Sequence, residues 1–100
     1  MSKLTVNVPH NLSQQEALTR IKKLLTGLKE QHKGMVTDVK ENWNGNNGNF
    51  EFSAKGFDVA GLIDVKQSSV DIDADLPFAL SLFKGSISKV ISDKAAQLLS

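Results

Sequence analysis

The fold is decided by residues 43–76, which read WNGNNGNFEFSAKGFDVAGLIDVKQSSVDIDADL. Apolar and polar residues alternate along this stretch with the period of two that is typical of half-buried β-strands. The alternation is interrupted by the Asn and Gly residues of 44–49, by Lys55-Gly56 and by Gln67-Ser68. Asn, Gly and Ser favour hairpin turns. From Met35 to Leu76 the sequence therefore predicts four consecutive antiparallel strands.

The three turns also predict which residues face one another. We centre them on residues 46–47, 55–56 and 67–68, since the length of a turn fixes the register of its hairpin. The predicted cross-strand pairs are Trp43 with Phe50, Phe52 with Val59, Ile63 with Ile72, and Val65 with Val70. One row across the sheet then reads Trp43, Phe50, Gly61, Ala74. All of these residues share the apolar face.

The flanking segments supply one strand and two helices. Leu4, Val6 and Val8 alternate with polar residues, and Pro9 ends that strand because proline lacks the backbone donor. A capping box at Ser13 and Glu16 begins a helix, whose apolar residues recur at helical spacing from Ala17 to Leu28 and which ends near Gly34. Residues 87–98 show the same spacing and predict a second helix, with Gly85 near its start.

The element order is therefore β-α-β-β-β-β-α, an α+β fold. Four strands joined by short turns form a meander, and the first strand adds beside the fifth, giving a curved antiparallel sheet of order 1-5-4-3-2. Both helices cover its one apolar face, in a reduced version of the helix-grip architecture. The length of 100 residues fits a single domain, 1–100.

Composition excludes several classes of function. The formal net charge of +1 gives no general attraction to nucleic acid or to an anionic membrane. The chain has no cysteine, so it has no disulfide or thiolate metal site, which fits a reducing cytoplasm. Residues 1–10 alternate without a continuous apolar run, and we therefore expect neither a signal peptide nor a transmembrane segment there.

No motif predicts a catalytic centre, a cofactor or a metal. Asp71, Asp73 and Asp75 point to one face, but their alternation is that of any half-solvated strand, and no glycine-containing calcium loop surrounds them. His10 and His32 lack metal-ligand spacing, and no nucleophile elbow or phosphate-binding loop occurs. The sequence favours a protein that is not an enzyme.

Glu41 leaves two interpretations open. The predicted register places it on the apolar face, where a buried carboxylate would have a raised pKa and could act as an acid or base. Alternatively it reaches water from the edge strand, or a bulge after it turns it outward.

Two sets of residues are candidates for binding. Small residues beside large ones either let aromatic rings lie flat or leave a hollow, which would form an apolar pocket. The pocket candidates are Trp43, Phe50, Phe52, Gly61 and Ala74. The segment 78–83 carries more apolar residues than one stripe can bury, so part of it should be exposed to a partner. The surface candidates are Phe78, Leu80, Leu82 and Phe83.

Short motifs along nearly the whole chain carry a family resemblance. They are Val8-Pro9-His10, Leu12-Ser13, Glu16-Ala17, Trp43-Asn44-Gly45, Phe52-Ser53-Ala54, Gly56-Phe57, Asp75-Leu76-Pro77-Phe78 and Phe83-Lys84-Gly85. With these the chain resembles the polyhydroxyalkanoic acid system family, small bacterial proteins encoded in gene regions for polyester storage granules. Ser81-Leu82 stands where the family pattern leads us to expect a second proline, which leaves the start of the last helix open.

The resemblance implies an association with granules and no catalytic residues. We expect a cytoplasmic, non-enzymatic accessory or interaction protein, peripheral to polyhydroxyalkanoate granules, whose partner is the granule surface or another granule protein. The alternative is a small carrier that holds an acyl or other apolar ligand between the sheet and the helices.

Overall fold

One antiparallel sheet organises the molecule, for which the computed structural model describes residues 2–100. Its strands are β1 (Ser2–Pro9), β2 (Val36–Asn44), β3 (Asn47–Ala54), β4 (Phe57–Val65) and β5 (Ser69–Leu76). They lie in the order β1-β5-β4-β3-β2, and every neighbouring pair is antiparallel. The predicted α+β fold and strand order are confirmed.

The first predicted helix is broken into two. α1 spans Gln14–Ile21 and α2 spans Leu24–Gln31, with Lys22 and Lys23 in a turn between them. Ser13 caps α1 by accepting a hydrogen bond from the Glu16 amide at 3.1 Å. The Glu16 carboxylate does not complete the capping box; it pairs with Arg20 at 3.0 Å. Both helices still present their apolar residues to the sheet, so the break leaves the buried face continuous.

The C-terminal part begins with a 3₁₀ helix, Phe78–Phe83, and continues as α3, Lys84–Leu99. α3 packs against β1, α1 and α2, whereas α2 also reaches β2. All the helices therefore lie on one face of the sheet. The other face is polar, as the exposed Thr5, Glu51 and Asp75 show.

The register between β2 and β3 differs from the prediction. The turn is formed by Gly45 and Asn46, so Trp43 faces Gly48 and Glu41 faces Phe50. Gly45 has a φ of 63°, which suits the first central position of a type II′ turn. The predicted pairing of Trp43 with Phe50 is wrong by two residues. Because the error is an even number, residues 40–44 stay on their predicted faces. Before the bulge described below, the register shifts by one more residue, so Val36 faces inward.

The other registers are confirmed. Phe52 faces Val59 across β3 and β4, and Ile63 faces Ile72 across β4 and β5. The inward-facing residues of the strands and the apolar stripes of the helices form one buried cluster. At the edge strand β2, a bulge interrupts the pairing between Thr37 and Lys40, where Asp38 adopts a φ of 54°.

Candidate functional site

The 3₁₀ helix distributes its apolar side chains over different directions. In this geometry residues three apart eclipse one another, so Leu80 and Phe83 share one side whereas Leu82 and Phe78 lie on others. Leu80 is fully buried and anchors the segment to the core. Phe78 is 82% exposed and Leu82 is 92% exposed. The predicted surplus of apolar side chains is therefore present at the surface.

Leu80 requires a correction. The sequence grouped it with Phe78, Leu82 and Phe83 as a surface contact, but the structure places it inside the core. Simple alternation of apolar and polar residues does not reveal this, since all four belong to the run Phe-Ala-Leu-Ser-Leu-Phe. Leu80 fixes the segment, and its neighbours project from it.

Further exposed apolar residues lie at the same end of the sheet. Phe57 begins β4, and Met35 directly precedes β2. The ends of β5, β4, β3 and β2 meet there, because Phe57 pairs with Ala54 and Ala54 pairs with Val36. We use the name apolar end for these two residues together with the exposed residues of the 3₁₀ helix, namely Met35, Phe57, Phe78, Leu82 and Phe83. Within this set, Phe78 borders the polar face of the sheet beside Asp58 and Asp75.

Lys55 connects the hairpin turn to the apolar end. Its backbone amide donates to the Met35 carbonyl at 3.2 Å, and its ammonium lies 4.2 Å from the centre of the Phe83 ring. Lys55 and Gly56 both have positive φ, at 53° and 82°, as the central residues of a type I′ turn do. A β-carbon is disfavoured in this conformation, so Lys55 is held in a position that glycine or asparagine adopts more readily.

Met35 and Phe83 of the apolar end line a small, partly open cavity of about 90 Å³, which we call the cavity beneath Phe83. Its walls are apolar and come from α2, β2, β3, the 3₁₀ helix and α3. The residues around it include Leu28, His32, Met35, Phe52, Ala54, Lys55, Leu80, Phe83, Ser86, Ile87 and Val90. Sequence reasoning did not find this cavity. The one local signal was the lysine at the first position of the two-residue turn 55–56, where glycine, asparagine or aspartate is usual.

The residues predicted to form a pocket are packed differently. Phe50 lies opposite Gly61, which in turn faces Ala74, as the sequence indicated. The Phe50 ring fills the space over Gly61, since a β-carbon there would come within 2.5 Å of its Cζ atom. Trp43 instead covers Gly48. Of the predicted set, Phe52 alone lines the cavity beneath Phe83.

Phe50 and Phe52 form a rigid aromatic pair. Their rings stack with centres 5.9 Å apart and planes 11° from parallel. Both side chains are buried. The stack holds Phe50 over Gly61 at one end and presents Phe52 to the cavity at the other.

Glu41 is exposed and reaches solvent from the edge strand. Its carboxylate accepts a hydrogen bond from Trp43 Nε1 at 3.1 Å. The bulge of β2 lies before Glu41, not after it. Of the two interpretations, the structure supports the edge-strand position.

His10 is buried and joins two loops. Its Nδ1 accepts from the Leu12 amide at 3.1 Å, and its Nε2 lies 3.1 Å from the Lys66 carbonyl oxygen. These contacts require the neutral ring with its proton on Nε2, which donates to Lys66. Both ring nitrogens are therefore engaged with backbone. His32, at the end of α2, is half-buried beside the cavity, far along the chain from His10.

The three aspartates of β5 lie on the polar face of the sheet. Lys66 pairs with Asp71, which also accepts a hydrogen bond from Asn7, and these contacts lower the pKa of the Asp71 carboxyl. Over residues 2–100, no three His, Asp or Glu side chains are grouped so that they could hold a metal ion. Within the same range no helix is long and apolar enough to cross a membrane.

Comparisons with known proteins give one family match. A family described as "Putative polyhydroxyalkanoic acid system protein" matches residues 4–99. A search of curated proteins finds no match. Among solved structures, the chain is similar to the crystal structure of TTHA0849 from Thermus thermophilus, with 12% identity and a TM-score of 0.40. That similarity covers 98% of this chain and 92% of the other.

Proposed function

We propose, from the premise that this chain belongs to the polyhydroxyalkanoic acid system family, that it is a non-enzymatic accessory protein of polyhydroxyalkanoate granules. In this proposal the apolar end attaches the protein to the granule surface, and the protein remains peripheral to the granule in the cytoplasm. The observation that carries the proposal is the near-complete exposure of Phe78 and Leu82. The two side chains leave different sides of one short helix, and several large exposed apolar side chains at one end of a protein commonly mark a region of contact with a partner.

The shape of the apolar end suits contact with an apolar surface. Phe78 and Leu82 project from a segment that Leu80 anchors, so little ordering is needed on contact. Full burial of one such side chain contributes about 1.5–3 kcal/mol before the costs of association. Lys55 and the exposed Lys84 stand next to Phe83, where they can meet anionic groups at the interface.

The positions of the polar candidates support binding rather than catalysis. Both ring nitrogens of His10 form hydrogen bonds with backbone atoms. The Glu41 carboxylate accepts a hydrogen bond from the indole of Trp43 on the same strand. The two lie at separate places on the chain, and neither faces the cavity. An acid or base for a reaction would need a partner group and a site for substrate beside it.

Sedimentation with isolated granules tests the attachment. The double variant Phe78→Ser, Leu82→Ser should reduce the bound fraction at least about tenfold, since two exposed side chains no longer transfer from water to the polyester. Leu62→Ser is the matched control, because Leu62 is 56% exposed on the polar face of the sheet and does not belong to the apolar end. Equal binding by the wild type, the double variant and the control would refute attachment through the apolar end.

Carriage of a small apolar ligand is the second candidate function, and the cavity beneath Phe83 favours it. At about 90 Å³, the cavity is much smaller than the roughly 300–1,000 Å³ of pockets that enclose drug-sized ligands. A long acyl chain therefore does not fit inside it. Mass spectrometry of the protein purified from its host would detect a bound molecule, and protein that is consistently empty would count against this function.

A further inference from the structure

We propose that the cavity beneath Phe83 binds a short-chain alkanoate, with its hydrocarbon tail inside and its carboxylate against Lys55 at the mouth. The ligand class is a carboxylate with an unbranched tail of about three or four carbons. This inference rests on the second proposed function, carriage of a ligand, and it is independent of attachment to granules.

The volume sets the length of the tail. The cavity of about 90 Å³ is smaller than the apolar cavity of about 150 Å³ that holds benzene in another protein. A narrow, unbranched hydrocarbon tail suits this volume, and we propose a length of three or four carbons. An aromatic ring would not fit here.

The walls set the polarity of the part that enters. They present apolar atoms throughout, including the methylene groups of Lys55 and the side chains of Phe52 and Leu80. A hydroxyl, amide or charged group inside would lose its hydrogen bonds to water without replacement, which costs several kcal/mol in an apolar medium. Only the hydrocarbon part of a ligand is therefore favoured inside.

Lys55 sets the charge of the part that remains outside. Its ammonium lies over the ring of Phe83, which also lines the cavity, and its backbone is held in the left-handed region. Residues with a strained backbone conformation of this kind are often found at functional sites. A carboxylate at the mouth would lie beside the ammonium while its tail occupies the cavity, and a neutral or cationic head group would gain no such contact.

Titration of ¹⁵N-labelled protein with sodium alkanoates of two to eight carbons, followed by amide chemical shifts, tests the proposal. From propanoate to pentanoate each added methylene should tighten binding about fourfold, with shifts at Phe52, Ala54 and Val90. From hexanoate onwards the affinity should stop rising, because the cavity is full. Affinity that keeps rising through octanoate would place the ligand on the open apolar end and overturn the proposal, as would the absence of any shift.

Lys55→Asn separates charge from folding. Asparagine adopts positive φ more readily than lysine, so the turn should be kept. Pentanoate should bind about threefold to fivefold more weakly, whereas the affinity for pentanol should not change. Unchanged pentanoate affinity would refute the role of Lys55. Lys66→Asn, at the opposite end of the sheet, is the matched control for loss of one positive charge.

Two further variants distinguish this inference from granule attachment. Ser86→Leu places a larger side chain at the exposed rim of the cavity and should abolish binding of both pentanoate and pentanol while granule sedimentation is kept. Phe78→Ser, Leu82→Ser should lose sedimentation and keep the pentanoate shifts. If the double variant Phe78→Ser, Leu82→Ser lost pentanoate binding, the assignment of the ligand to the cavity would be refuted. If the double variant still sedimented with granules, only the proposed attachment surface would be refuted.

Discussion

Gly61→Ala measures how tightly the sheet is packed beneath Phe50. A β-carbon at Gly61 would overlap the backbone oxygen of Asp73 and lie 2.5 Å from Phe50 Cζ. The Asp73 oxygen belongs to the β4–β5 pairing, and the Phe50 ring is held by its stack on Phe52. Neither atom can withdraw without disturbing its own contacts.

Overpacking of this kind lowers the free energy of unfolding by about 1–3 kcal/mol. Replacing a glycine within a strand by alanine raises it by about 0.5–1 kcal/mol, because the unfolded chain loses conformational freedom. Because one of the two contacts is with backbone, we expect a net loss of about 2 kcal/mol in the free energy of unfolding. For a domain of this size, that loss lowers the melting temperature by roughly 8–16 °C.

Urea and thermal unfolding followed by circular dichroism measure the effect. Gly48→Ala is the control, since its β-carbon would meet the Trp43 ring at 2.9 Å, and that ring is half-buried on the edge strand and can shift. We expect the control to lose less than about 1 kcal/mol. A Gly61→Ala protein as stable as the Gly48→Ala protein would refute the placement of Phe50 over Gly61.

Three further outcomes follow from buried or paired side chains. Leu80→Ala should lower the free energy of unfolding by about 2–5 kcal/mol, measured in urea, because Leu80 is fully buried; a loss below about 1 kcal/mol would contradict its role as anchor. His10→Ala should lower the free energy of unfolding by about 1–3 kcal/mol, because the Leu12 amide and the Lys66 carbonyl lose their partner; an unchanged urea midpoint would contradict a stabilising role for these two hydrogen bonds. The lowered pKa of Asp71 means that its contribution is present above the ordinary value of 3.8 and is lost as pH falls through the folded-state pKa. The stability difference between wild type and Asp71→Asn should therefore shrink below about pH 4, and a difference independent of pH would contradict the pairing with Lys66 and Asn7.

The sequence predicts strand order and most registers because short turns leave little freedom. The turns at 55–56 and 67–68 each have one centre that keeps apolar residues on a common face, and both registers are correct. Residues 44–49 consist only of Asn and Gly, so several two-residue turns are available there. Moving a two-residue turn by one residue shifts the register by two and leaves the side chains on their faces. Periodicity therefore cannot choose between such turns, and this is where the predicted register is wrong.

Helix boundaries are less predictable for a related reason. Ile21, Leu24, Leu25 and Leu28 keep helical spacing across the turn at Lys22 and Lys23, because both halves bury the same face. The hydrophobic pattern therefore carries no trace of the break. The start of α3, which the sequence left open, is set by the 3₁₀ helix before it, whose buried Leu80 is indistinguishable in sequence from the exposed Leu82.

The candidate site is predicted only in part. The excess of apolar residues in the segment 78–83 indicates exposure, and Phe78 and Leu82 are exposed. The cavity is lined by residues from five elements that are distant in sequence and adjacent in space. A local sequence pattern therefore cannot predict it. Lys55 is the sequence feature that comes closest to indicating the cavity, because it occupies a turn position where glycine, asparagine or aspartate is usual.

The position of Trp43 decides what its fluorescence can report. It is the sole tryptophan of the chain and lies over Gly48, with the Lys22 ammonium 5.6 Å from its ring. Val36, which lines the cavity, is seven residues away on β2, about 23 Å along the strand. The fluorescence of Trp43 should therefore report global unfolding and should remain unchanged when a ligand enters the cavity beneath Phe83. A fluorescence screen would therefore score every ligand of that cavity as inactive, and the search needs a probe at the other end of the sheet.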